Sequence, residues 1–291
     1  VLSIFISLFF TQHVTARTRD VLNGIRSVRE GEYGYRIESK GHDEIAALAE
    51  EFNSLTDRLQ RTEEIRRRFV SDASHELKTP LAAIQLLSDS IVQNDIKDME
   101  TVNEFVSDIG DEARRLARTT EKLLRLTNLD NQIALESRPE DISRIGERAV
   151  KMLNPIAEER AVKIISDFGQ GCVVLSAADD IYQIFVNLIE NAVKYNKPGG
   201  SVYVKTHTSG GNVIISVSDT GVGIPDEDLP LIFDRFYRVD KARSRADGGS
   251  GLGLSIVKSS VLQYGGTITA RRLDEGGMKF EVKFDLYTEI E

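Results

Sequence analysis

Residues 69–84 read FVSDASHELKTPLAAI, and the periodicity of this stretch decides the architecture of the N-terminal half. Leu77, Ile84 and, just beyond the quoted stretch, Ile91 recur every seven positions and form one apolar seam on a helix. A helix advances about 100° per residue, so His75 lies about 200° from Leu77 and about 180° from Ile84. Its imidazole therefore faces solvent, opposite the seam. Thr79 lies one turn on and Ser71 one turn back, while Glu76 is adjacent in sequence but a quarter-turn round. Pro80 lacks an N–H for the helical ladder, but the helical pattern continues to Gln93, so it kinks the helix rather than ending it.

Working outward, the polar turn QNDIKDM (93–99) precedes a second helix carrying Val102, Phe105, Ile109, Ala113, Leu116, Leu123 and Leu126. Two long amphipathic helices joined by a short polar loop make a helical hairpin. One hairpin cannot enclose a core. Two can form a four-helix bundle, which predicts a homodimer.

Upstream, Asp43 is placed to N-cap a helix whose apolar positions Ile45, Leu48, Phe52, Leu55 and Leu59 form a coiled-coil seam. Before it, a weaker helical pattern over 14–29 is broken by Gly31, Gly34 and Gly41, with Tyr33, Tyr35 and Ile37 alternating as in extended chain. His42 in this connector reads as structural or solvated. Residues 1–10, VLSIFISLFF, carry no charge but are only half the length of a membrane span, which needs about 20 apolar residues. They lack the basic flank of a signal peptide. The stretch is either the stump of a longer spanning helix or a short apolar helix docked on the rest. Arg17, Arg19, Arg26 and Arg29 follow it, as on the cytoplasmic side of a membrane.

From about residue 136 the texture changes. Helices are expected over 142–159, 179–196 and 254–264, and strands over 162–168, 172–176, 202–207, 213–219, 267–272 and 278–285. Antiparallel strands mixed with helices indicate an α/β two-layer domain. The net charge of −9, with no basic stripe, argues against a nucleic-acid surface. Cys172 is the only cysteine, so there is no disulfide framework, and its apolar neighbours mark a buried strand thiol.

Four segments of this half carry chemistry. In NLIENAVKYN (187–196), Asn187, Asn191 and Lys194 share one helix face. Amide oxygens suit a hard cation such as Mg²⁺ and the lysine suits a phosphate, although such a face can also be simply solvated. In VIISVSDTGVGIP (213–225), Val213, Ile215 and Val217 point inward, and Asp219 shares their parity. A buried carboxylate requires a donor, and an adenine amino group is one. Gly221 and Gly223 then allow a sharp turn and close approach. Residues 226–250 read as a lid: IFDRFYR (232–238) with exposed Phe233 and Phe236 as hinge or anchor, Arg238 within reach of a γ-phosphate, and the polar run KARSRADGG (241–249). In GGSGLGLSIVK (248–258), Gly249, Gly251 and Gly253 expose backbone N–H groups at a helix N-terminus, an anion-binding arrangement. No lysine–serine/threonine ending follows, so this is not a P-loop.

SHELKTPL (74–81) resembles the phosphoacceptor box of sensor histidine kinases. NLIENAVKYN, DTGVGIP, IFDRFYR and GSGLGLSIVK occur in the order of the N, G1, F and G2 boxes of their catalytic domain, which belongs to the gyrase–MutL-type (Bergerat) ATPase superfamily. GEYGYRI and GHDEIAALAEEFNSLTDRL resemble a HAMP relay, although the usual proline early in its first helix is absent and Asp20 sits near there.

The resemblance implies a multidomain α and α+β protein: a truncated transmembrane helix (1–12), a HAMP module (13–64), a dimeric four-helix-bundle hairpin (65–132) and an α/β two-layer sandwich ATP-binding domain (136–287). It implies a protein-histidine kinase that phosphorylates His75 with Mg-ATP, assisted by Glu76, and passes the group to an aspartate of a separate response regulator. Thr79 would orient water when the regulator is dephosphorylated. Asn191 would hold Mg²⁺ and Asp219 the adenine, with Tyr195 beside the base. Lys194 and the glycines around Leu252 would meet the phosphates. Asn187 occupies the position where gyrase-type ATPases carry a catalytic glutamate, which puts direct water activation there in doubt. GGMKF (276–280) has Met278 where a threonine is common, with a packing consequence expected. A plain ATPase or serine kinase, a catalytically dead scaffold and a net phosphatase are the rival readings. The implied location is the cytoplasmic portion of a cell-membrane protein.

Overall fold

The computed structural model describes residues 2–38, 43–93, 98–130, 137–239, 250–274 and 276–288. Gly41, His42, residues 94–97 and 131–136, and the whole polar run KARSRADGG (241–249) with Gly249 lie outside the described residues. The chain forms two compact units, residues 1–72 and 73–291.

The first unit contains α1 (Leu2–Arg29) and the start of α2 (Glu44–Gln93). Asp43 caps α2, accepting from the Ala46 N–H at 3.0 Å. It also pairs with Arg17 of α1, whose hydrogen bond is the main cause holding the Asp43 carboxyl below its usual range. The connector returns with Tyr33 and Tyr35 half-buried and Ile37 buried, the alternation expected of extended chain. Ile37 is clamped by Asn53, whose amide accepts from its N–H and donates to its carbonyl, both at 2.9 Å. Within the chain, α2 buries Ala46, Ala49 and Thr56, with Phe52 packed on Val21 and Ile37. The expected seam is used differently: Leu48, Leu55 and Leu59 remain exposed. A coiled-coil seam needs a second helix to cover it, and a single chain offers none there. Among the described residues no helix is long and apolar enough to cross a membrane.

Helix α2 continues through Pro80 without interruption, as the pattern requires. The partner helix is α3 (Met99–Asp130). His75 is exposed, and Leu77, Ile84 and Ile91 are half-buried. Leu81, Leu86, Val92, Val106 and Leu124 stay largely exposed, so the hairpin does not enclose a core by itself.

The α/β region begins with β1 (Arg138–Asp141), a strand that is not among those expected from the sequence and that contains Pro139. It pairs only with β3 (Val173–Ser176) in a two-stranded antiparallel ribbon, where a proline costs no central ladder bond. Next come α4 (Ile142–Glu159), β2 (Lys163–Phe168), α5 (Ala178–Lys194), β4 (Ser201–Ser209) and β5 (Asn212–Asp219). The chain closes with α6 (Gly253–Gln263), β6 (Thr267–Arg272) and β7 (Met278–Asp285). The main sheet runs β2-β4-β5-β7-β6. It is mixed rather than wholly antiparallel, because β2 lies parallel to β4 after the α5 crossover. One face packs on α4, α5 and α6 through Val202, Val204, Val213, Ile215, Val217, Phe280, Val282 and Phe284 against Ile184, Phe185, Leu188 and Val257. This core fixes both α5 and the end of β5, the two elements that carry the site. Cys172 is fully buried immediately before β3.

Candidate nucleotide and phosphoacceptor site

Strand parity carries Asp219 inward as expected, leaving it 6 % exposed beside the wholly buried Val217. Burial pushes its carboxyl pKa up, opposed by hydrogen bonds from backbone N–H groups. Those donors are Gly221 at 2.8 Å and Met278 at 3.3 Å, and both reach Oδ1. The Gly276–Gly277 turn makes the second bond possible. Gly277 has φ +84°, and a Cβ there would come within 2.0 Å of the Asp219 carbonyl, so only glycine fits. GGMKF stood out in the sequence only for the packing of Met278; the support that Gly277 and the Met278 N–H give to Asp219 is visible only in the structure. The paired glycines before β7 are the sequence signal of the turn itself. Met278 itself is buried in the core, so its side chain packs while its backbone serves the site.

Gly221 follows, with a would-be Cβ 2.3 Å from the Tyr195 carbonyl. That carbonyl accepts from the Val222 N–H, which draws the turn carrying Gly223 onto the end of α5. Thr220 and Asn196 tie the same turn to Ser201. Tyr195 is half-exposed at the C-cap of α5, with Lys194 Nζ 5.2 Å from its ring centre.

On α5, Asn187 is buried, and its Oδ1 accepts from Gln183 at 3.2 Å. Its Nδ2 is buried with no partner among the described residues. Gly253, the first residue of α6, faces this row: a Cβ there would lie 3.6 Å from Asn187 Oδ1 and 3.9 Å from Asn191 Nδ2. The structure thus brings together Asn187, Asn191 and Gly253. Leu252 is fully buried at the N-cap of α6, which has no side-chain cap. An uncapped helix start opposite an orphaned buried amide donor is suited to an anion. The donor set therefore fits a nucleotide: a buried carboxylate for an amino group, and amides, a lysine and a helix N-terminus for phosphates.

The expected exposed aromatics of IFDRFYR are corrected. Phe233 is half-buried, packed edge-on to Phe280 at 6.4 Å. Phe236 is half-buried with φ +61°, and its N–H donates to the Gly251 carbonyl at 3.0 Å. Gly251 itself has φ +68°. Phe233 and Tyr237 pack on the apolar core, and Phe236 is held through its backbone, so this segment is pinned to the domain rather than projecting from it.

At the phosphoacceptor turn, Thr79 Oγ1 donates to the His75 carbonyl at 3.1 Å. Glu76 does not reach the His75 ring through any hydrogen bond among the described residues. Its Oε1 lies 3.9 Å from Arg238 Nη1 instead. Arg238, assigned above to a γ-phosphate, is therefore placed beside the phosphoacceptor turn.

Three segments of the chain match known domain families. Residues 9–61 match the HAMP domain, 65–132 the His Kinase A (phospho-acceptor) domain, and 176–288 the Histidine kinase-, DNA gyrase B-, and HSP90-like ATPase family. The chain is 33 % identical over 287 residues to the signal transduction histidine-protein kinase ArlS of Staphylococcus aureus (strain USA300), covering 96 % of this chain and 62 % of that protein. It thus spans about three-fifths of the length of such relatives. In fold it is similar to the Acinetobacter baumannii histidine kinase AdeS, with TM-score 0.59 and 23 % identity over 74 % of this chain and 98 % of that one. It is also similar to the histidine kinase ThkA, solved in complex with the response regulator protein TrrA, with TM-score 0.63 and 18 % identity over 80 % and 67 %. With phosphoacceptor hairpin, ATPase domain and HAMP segment in one chain, the protein belongs to the sensor histidine kinase family.

Proposed function

We propose that the chain is the kinase portion of a membrane-tethered sensor that transfers the γ-phosphoryl group of ATP to His75 and then to an aspartate of a separate response regulator. The observation that carries this reading is the shared placement of Asn187, Asn191 and Gly253 beside a buried, backbone-supported Asp219, in a chain that also presents His75 on an exposed helix turn.

Asp219 accepts the adenine amino group, and Tyr195 lies beside the base. Lys194 and the N–H groups around Gly251, Leu252 and Gly253 receive the phosphates, joined by the unpartnered Nδ2 of Asn187. Asn191 Oδ1 would hold Mg²⁺, which would supply charge compensation on the phosphates. Neutral imidazole is a good nucleophile near neutral pH. The His75 nitrogen attacks phosphorus, the bond to the ADP oxygen breaks, and ADP leaves with those electrons. Glu76 accepts the ring proton once its carboxylate turns from Arg238, and Arg238 is then released to the transferring group. Thr79, one turn away, orients water for the reverse duty of dephosphorylating the regulator. The half-buried hairpin seam and the exposed Leu48–Leu55–Leu59 row support a homodimer. The HAMP match supports a membrane tether, and the phosphoacceptor-domain match supports a response regulator as the partner.

Incubation with γ-labelled ATP and Mg²⁺ tests the reading. An acid-labile, base-stable label that disappears in His75→Gln is expected. Label that survives that substitution, or steady ATP hydrolysis with no labelled protein, overturns it.

A further inference from the structure

Asp180, in the first turn of α5, is 2 % exposed, yet no step above uses it. Its two oxygens are each held by a different element. Oδ1 accepts from Arg125 Nη2 of α3 at 2.5 Å, and Oδ2 accepts from the Tyr264 hydroxyl at the C-cap of α6 at 2.6 Å. The same Arg125 Nη2 donates to the Asp179 carbonyl at 3.2 Å. The Tyr264 oxygen accepts from the Ala177 N–H at 3.2 Å. Burial first, and then the Asp180 bond, push the Tyr264 phenol far above its usual range, so it stays protonated and donating. Asp180 therefore ties the ATP-domain helices α5 and α6 to α3 of the phosphoacceptor hairpin, and α6 packs along α3.

The junction around this carboxylate is polar. Arg125 Nε, Ser176 Oγ, Ser260 Oγ and Gln263 Oε1 are buried without a partner among the described residues. Ser176 adjoins Ala177, and Ser260 and Gln263 lie within one turn of Tyr264. Burying polar groups incompletely is costly, and permanent cores avoid it. Such a junction suits two surfaces that meet and separate. Its orientation is set by a directional charged bond rather than by apolar area.

We propose that Arg125 is a positioning residue for phosphoryl transfer: through Asp180 it seats the nucleotide helix α5 on the hairpin in the attitude that brings ATP to His75. Asp180 begins the helix that carries Asn187, Asn191 and Lys194 two to four turns further on. A rigid helix transmits a tilt at its start to those residues. Arg238 meets Glu76 at a second point of the same domain, so losing the Arg125 bond frees the domain to pivot.

The assignment rests on the kinase reading, and its test separates the two. The rate of phosphohistidine formation is measured against ATP concentration for the wild-type chain, Arg125→Ala and Arg125→Lys, with nucleotide affinity measured alongside. If the wild type forms no phosphohistidine, the kinase reading fails by itself. In Arg125→Ala the maximal rate is expected to fall about tenfold or more at unchanged KM for ATP, because misorientation alone carries penalties of that size. Arg125→Lys, which keeps a cation for Asp180, is expected to recover most of the rate. An unchanged or raised rate in Arg125→Ala overturns the assignment. So does nucleotide affinity lost in step with the rate, which would mark the pair as a fold support.

Discussion

The backbone N–H of Met278 donates to Oδ1 of Asp219 at 3.3 Å, so a residue whose side chain lies in the core supports the carboxylate at the mouth of the site. Packing and binding separate at this position. Met278→Ala removes a side chain that is 3 % exposed and is expected to cost about 2–4 kcal/mol of stability. ATP affinity in the folded fraction stays at the wild-type value. Denaturant unfolding and nucleotide titration on one preparation measure both quantities.

Gly277→Ala has the opposite profile. Its Cβ collides with the Asp219 carbonyl, at a φ of +84° that side chains disfavour. The turn must shift and take the Met278 N–H with it. ATP affinity is expected to fall by about tenfold or more, equivalent to about 1.4 kcal/mol. Retained affinity would show that the Met278 bond is dispensable.

Asp219 links the site to pH. Burial raises its pKa in the folded state, so the native chain holds this proton more tightly than the unfolded chain does. Stability therefore declines as pH rises from the ordinary carboxyl range through the raised native value, above which the cost of the buried charge is present in full. Asp219→Asn relieves that cost and keeps an oxygen for the Gly221 N–H. It is expected to melt no lower than wild type at pH 7 while losing ATP binding. A melting temperature well below wild type would mean that the carboxylate stabilises the empty fold.

Thr79 Oγ1 bonds back to the His75 carbonyl, a local bond that contributes little to a helix. Thr79→Ala is expected to leave His75 phosphorylation within about twofold of wild type, since a back-bond of this kind is weak. It is expected to abolish stimulated dephosphorylation of the regulator. Decay of label on a purified receiver domain is the readout, and decay as fast as with the wild-type chain would remove Thr79 from that role.

Leu48 and Leu55 are more than half exposed within the chain. Replacing both with aspartate is expected to weaken self-association, followed by sedimentation, with little loss of helix content, because neither side chain packs on the core of its own chain. Unchanged association would place the dimer contact elsewhere.

Local periodicity determined much of this protein. The heptad of Leu77, Ile84 and Ile91 was enough to turn His75 to solvent, and the alternation of Val213, Ile215 and Val217 was enough to bury Asp219, because both follow from backbone geometry. The order of the glycine and asparagine segments pointed to a nucleotide through its resemblance to the boxes of the histidine-kinase catalytic domain, since each segment alone carries only a local arrangement of donors. Tertiary structure alone decided which groups meet. It set Glu76 toward Arg238 rather than the imidazole, gave Asp219 a donor 59 residues away in Met278, laid β2 parallel to β4, and let β1 run through Pro139 at an edge. It also buried Ala46, Ala49 and Thr56 of α2 instead of the leucine seam. Each of these outcomes depends on partners distant in sequence. His75 is exposed by its own helix, whereas the seating of the ATP domain beside it depends on long-range contacts such as Arg125 with Asp180.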